Sequence, residues 1–128
     1  MRGLNKVIII GRLGADPEER MTGGGTHVSC FSMATDRYRS GNGAGNGEKF
    51  TDWHRIVAYG KTAEVCNSHL RKGRLACVEG SLQTRTWESP PGTKHFTTEV
   101  VASNVTFLDF REQNGPSDAV EASEATDL

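Results

Sequence analysis

Apolar and polar residues alternate along much of this chain, and alternation is the period of strands. Val7 to Ile10 is a β-branched run that reads as a first strand, ended by Gly11 and Gly14. Asp16-Pro17 starts a turn and Gly23-Gly24-Gly25 closes a loop. His27 to Thr35 follows as a strand, with Val28, Cys30, Ser32 and Ala34 on one face and Ser29, Phe31 and Met33 on the other; parity alone does not choose the core face. Phe50 to Gly60 is a third strand. One helix is expected next: Thr62 can cap it, Glu64 suits its first turn, Arg71 and Lys72 its last, and Gly73 its end. Cys66, His69 and Leu70 share a face of that helix, which makes His69 a packing residue at the edge of the core. Leu75 to Trp87 is a long strand whose Ala76, Val78, Gly80 and Leu82 look core-facing. Ser89-Pro90-Pro91-Gly92 is a turn, after which Lys94 to Ala102 and Val105 to Phe110 read as two more strands.

Five or so strands with one helix after the third predict an all-β domain. A five-stranded Greek-key barrel of the OB type fits the pattern. Its domain spans residues 1–111. From Gln113 onward the chain has almost no large apolar residue, so residues 112–128 are expected to be a disordered acidic tail. The segment SGNGAGNG, residues 40–47, holds four glycines and two asparagines and cannot pack a core. It reads either as a solvated hairpin loop or, with Arg37, Tyr38 and Arg39 beside it, as a loop that closes over a ligand.

Within the third strand, FTDWHRIVAYGK puts Trp53, Arg55, Val57 and Tyr59 on one face and His54, Ile56 and Ala58 on the other. Two aromatics and a guanidinium on one face suit stacking of unpaired bases and pairing with phosphate. The same pattern also fits an ordinary strand whose Trp and Tyr are core. The strand from Leu75 repeats the combination, with Arg85 and Trp87 on its more polar face.

Charge sharpens this picture. The net charge of −1 conceals a split: residues 2–111 hold all 15 Lys and Arg against 11 of the 16 Asp and Glu, a net of +4, while the last 17 residues hold the other five acids. A basic body with an acidic appendage suits a polyanionic partner. Three cysteines argue against a secreted disulfide framework, and no CxxC or paired-histidine spacing predicts a metal; no cofactor is expected. No apolar run reaches the roughly 18 residues of a membrane helix. The N-terminus lacks a secretory h-region, so a cytoplasmic, nucleoid-associated location is expected. Catalytic motifs such as HExxH, a P-loop or GxSxG are absent, and the chain is not expected to be an enzyme. Asp52 and His54 come nearest to an acid–base pair, and they are expected to face opposite sides of their strand.

Together, NKVIIIGRLGADPEER, FSMAT, TDWHRIVAYGK, LRKG, VEGSLQTRTW and TTEVVASNVTFL, in that order from about Arg2 to Leu108, resemble the bacterial and phage single-stranded DNA-binding protein family. The resemblance implies an OB-fold that assembles as a homotetramer, a dimer of dimers. It also implies binding of single-stranded DNA without marked sequence preference, in replication, recombination and repair. Carried over by position, the stacking aromatics are Trp53, Tyr59 and Trp87. Another family tryptophan, after the second strand's AT, is replaced here by the run Asp36-Arg37-Tyr38-Arg39, where Tyr38 or Arg39 can stack instead. The phosphate-binding positions implied are Arg2, Arg39, Arg55, Lys61, Arg71, Lys72 and Arg85. His54 is implied to be structural or interfacial, and the strand from Asn5 to Ile10 to pair subunits.

The chain departs from the family at its end. The tail is dilute in acid and stops at Leu128 without the terminal Phe, which speaks against recruiting replication and repair proteins through its tip. The alternative on the same fold is an assembly or recruitment subunit, a primosomal-type accessory protein working through protein contacts. Retention of Trp53 and Trp87 argues against it.

Overall fold

Six strands and one helix follow one another as β1 (Val7–Leu13), β2 (Glu18–Met21), β3 (His27–Arg39), β4 (Glu48–Tyr59), α1 (Gly60–His69), β5 (Leu75–Ser89) and β6 (Thr93–Phe107). They belong to a computed structural model of the chain that describes residues 2–40 and 47–108. The expected acidic tail and most of the glycine-rich segment lie outside the described residues.

The strands hydrogen-bond in the order β1-β5-β6-β4-β3-β2, and β1 also pairs with β3. The β1–β3 pairing, Arg12 opposite Ala34 and Leu13 opposite Met33, closes β1, β5, β6, β4 and β3 into the expected five-stranded barrel. Closure is completed by a short parallel contact, Ile56 with Val100 and Val57 with Val101, between β4 and β6. β2 hangs on the outer edge of β3 through Glu18 opposite Cys30 to Met21 opposite His27.

The core forms where the inward parities meet. Phe31 and Met33 of β3 share the core with Ile56 and Ala58 of β4, Phe31 directly opposite Ile56, so the core side of β3 is the one carrying Phe31. α1 adds Ala63 and Cys66, with Leu70 just beyond its end, against β3, β4 and β6. His69 lies at the core edge, its ring stacked on Phe107 with centroids 5.5 Å apart. Burial pushes the Cys66 thiol up to about 12, so it behaves as a small apolar group. Cys77, by contrast, is only half-buried.

Four expectations are corrected. β2 went unseen because all four of its residues, EERM, are exposed and carry no alternation. The helix consequently follows the fourth strand, although it still follows the third strand of the barrel. It begins at Gly60 without a side-chain cap, so Thr62 lies inside it, and it stops at His69 before Arg71 and Lys72. The two last expected strands are one, β6, interrupted by a bulge: Glu79 pairs with Asn104 and Gly80 with Ala102, leaving Ser103 unpaired. At Gly80 a Cβ would come within 2.0 Å of the Val101 carbonyl oxygen, so only glycine lets the strands meet there. Leu82 keeps the inward parity, opposite core Val100, but is 48% exposed rather than buried.

Two hairpin arms extend from the barrel. The β3–β4 arm is exposed on both sides and held by cross-strand pairs: Arg37 donates to Asp52 at 2.6 Å and lies over the Phe50 ring, while Thr51 and Lys49 hold Asp36. The β5–β6 arm turns at residues 89–92, where the Gly92 N–H donates to the Ser89 carbonyl at 2.7 Å.

Candidate nucleic-acid interface

The outward face of β4 is built by register. Opposite Trp53, Arg55, Val57 and Tyr59 stand Ala34, Ser32, Cys30 and Val28 of β3, all small or slender. Residues opposite each other share a face, so the aromatics project beyond low neighbours: Trp53 is 61% and Tyr59 49% exposed. Val57 is buried between them with Val28 and Cys30, forming a small apolar cluster outside the barrel core. The reading of this strand as an ordinary one with core aromatics therefore fails. Tyr38, opposite Lys49, falls on the same face, whereas Arg39, opposite Glu48, falls on the other.

Trp53 is seated on Gly14. A Cβ at Gly14 would lie 2.5 Å from the indole, so the absent side chain makes the ring's place. Trp87 is supported differently. Its Nε1–H donates to Thr97 Oγ1 at 2.9 Å, and the ring of His95, its cross-strand partner, stacks on it at 4.2 Å.

Between these aromatics lies an ionic cluster. Glu99 of β6 is buried, and both Arg55 of β4 and Arg85 of β5 bond to it. Arg85 donates from Nε to Oε1 at 2.8 Å and from Nη2 to Oε2 at 3.3 Å; Arg55 donates from Nε to Oε2. Burial alone would raise the Glu99 carboxyl, but the hydrogen bonds and charges of Arg85 and Arg55 outweigh it and hold the group below the ordinary carboxylate range. The hydrogen bond from Arg85 to Glu99, with the carboxylate's charge, raises the Arg85 guanidinium in turn. These residues end a groove of about 300 Å³ with Val28, Cys30 and Val57 among its lining, beside Tyr59, and with Arg20, Met21 and Thr22 on the β2 side.

Of the positions singled out in the sequence, Arg55, Tyr59 and Arg85 meet in this groove, and Trp53, Trp87 and Tyr38 share the strand faces that border it. Arg2, Arg39, Lys61, Arg71 and Lys72 are exposed but do not line it. Arg71 instead donates to the Asn67 and Leu70 carbonyls at the end of α1, and the Lys72 backbone N–H donates to Asp16. Asp52 and His54, two residues apart, share a face, contrary to expectation. Each is held by a different partner, Asp52 by Arg37 and His54 by Thr35 at 2.7 Å. Among the described residues no cluster of His, Cys, Asp or Glu could hold a metal ion, and no helix is long and apolar enough to cross a membrane.

Glu99, Gly14, His95, Thr97 and β2's Arg20 and Met21 were missed. Glu99 left one trace, an acid among the alternating residues of TTEVV. The others left none, because their roles depend on which strand lies alongside.

The model of the single-strand binding protein family matches residues 4–108. The chain belongs to that family. Among relatives in the single-strand binding protein family, single-stranded DNA-binding protein 1 of Chlorobaculum tepidum is 45% identical over 115 residues, covering 89% of this chain and 70% of the relative. The single-stranded DNA-binding protein of Thermotoga maritima is 44% identical over 124 residues, covering 97% of this chain and 87% of the relative. In three dimensions the chain is similar to a Plasmodium falciparum SSB complex with ssDNA: TM-score 0.79, 36% identity, 85% of this chain and 98% of that one.

Proposed function

We propose that this chain binds single-stranded DNA without marked sequence preference, and serves replication, recombination and repair by protecting and organising it. The observation that carries the proposal is the continuous outer face of β4, β6 and β5, where exposed Trp53, Tyr59 and Trp87 alternate with Arg55 and Arg85. Every base has a π-face, so stacking on such rings tolerates any sequence. In single-strand binding proteins, the type system for this figure, each stacked base is worth about 1–3 kcal/mol by alanine substitution. Tyr38 extends the stacking set along the β3–β4 arm. Arg2, Arg39, Lys61, Arg71 and Lys72 add positive charge along the surface over which the strand continues. The role is binding without catalysis: Asp52 and His54 are engaged by Arg37 and Thr35.

The chain acts as a homotetramer, a dimer of dimers. Ile8 and Ile10 support this, because both are 57% exposed on the outer side of β1 and offer an apolar strip that a second copy can cover. Titration of labelled oligo-dT against a duplex of equal length, at rising salt and with light scattering of the complex, tests both parts. Preference for the single strand, affinity that falls with salt and a tetrameric mass are expected. Equal affinity for duplex favours the accessory-subunit reading instead.

A further inference from the structure

We propose that Glu99 is a positioning residue that sets Arg55 and Arg85 as a paired receptor for a backbone phosphate of the bound strand, an inference that rests on the single-stranded DNA reading above. β6 is the one strand that pairs with both β4 and β5, and Glu99 lies next to its crossing, one residue before Val100, which pairs with Ile56, and opposite Gln83. Its side chain is 7% exposed, while the side chains of Arg55 and Arg85 above it are 45% and 53% exposed. Arg55 uses only Nε on Glu99, and Arg85 uses Nε and one Nη2 hydrogen. Neither makes another side-chain hydrogen bond among the described residues, so the Nη1–Nη2 end of each fork stays open to solvent. Two planar forks fixed at their inner edges and open at their outer edges match a phosphate's oxygens better than two free side chains do. The groove continues from this pair to Tyr59 over Val28, Cys30 and Val57, which places an apolar floor and a ring beside the paired guanidiniums. Glu99 also separates two like charges that the fold brings together, so the pair keeps a net charge of +1.

The test is Glu99→Gln in the full chain, titrated with fluorescein-labelled oligo-dT from low to high salt. The substitution adds one positive charge to the face, so charge alone would tighten binding. Positioning requires the opposite: affinity weakened about tenfold, and a salt slope shallower by about 0.7, because one phosphate fewer is neutralised. Equal or tighter binding with an unchanged slope overturns the proposal. A second set keeps Glu99 and the charge, in case the glutamine variant does not fold: Arg55→Lys, Arg85→Lys and the double substitution. The receptor acts as a unit, so the double variant loses no more than the worse single one; additive losses overturn the pairing. Failure of the unaltered chain to bind oligo-dT takes down the single-strand reading and this proposal with it, whereas tight binding by both the unaltered chain and Glu99→Gln sinks only the role of Glu99.

Discussion

β4 and β5 each carry a tryptophan two residues from an arginine on the same side of the strand, yet the fold supports the two indoles by opposite means. Trp53 is held by something missing, the side chain of Gly14. Trp87 is held by something present, the ring of His95 and the hydroxyl of Thr97. The arginines converge where the tryptophans do not: Arg55 and Arg85 share Glu99. The strands differ in cover as well. β4 enters the barrel with Ile56, Val57 and Ala58 all buried, whereas β5 is exposed at every residue from Leu82 to Glu88. Similar one-strand signatures thus come from different neighbours, and the neighbours decide how firmly each ring is presented.

The comparison breaks most severely if both rings go. Trp53→Ala with Trp87→Ala should weaken labelled oligo-dT binding by about 2 kcal/mol or more while circular dichroism stays unchanged; unchanged affinity would falsify the assignment of the face. Gly14→Ala comes next. Its methyl meets the indole rather than backbone, so the ring must shift, and affinity should fall about tenfold, bounded by the loss on removing Trp53 itself. In a Trp53→Ala background the same change should cost nothing further, and a cost that persists would show that Gly14 acts elsewhere. His95→Ala removes one stacking partner but leaves the Thr97 hydrogen bond. The loss should stay within about 0.5–1.5 kcal/mol, with Trp87 emission shifted to the red in a Trp53→Phe background. A Trp87 spectrum that does not move would mean that His95 leaves the ring's surroundings unaltered. Leu82→Ala should do least, within about 0.5 kcal/mol in denaturant unfolding, because Leu82 is half-exposed. Core Leu70→Ala, as the reference, should cost about 2–5 kcal/mol. Equal costs would show that Leu82 is covered as the core is.

Much of this was legible from residue order. The β4 face was read correctly because neighbours opposite it are small and its register is regular, so period two translated directly into in and out. The barrel followed from strand count, strand length and one helix. β2 was illegible because a fully exposed edge strand needs no apolar alternation. Leu82 keeps the inward parity, opposite core Val100, and is exposed because β5 has there left the cover of the barrel, which its own residues do not record. The start of helix α1, before Thr62, is not legible because its first turn has no capping side chain to mark it.

The sequence by itself determined most of the strands, the outward aromatics and the arginine of β4, and the family, all of which depend on local periodicity or on motifs in order. Only the tertiary structure decided what those side chains rest on. Gly14 lies 39 residues before Trp53, and Glu99 lies 44 after Arg55. Closure of the barrel brings each pair together, and a carboxylate becomes an anchor for two arginines only when three strands lie side by side. That is a property of register between strands, which no single strand's pattern contains.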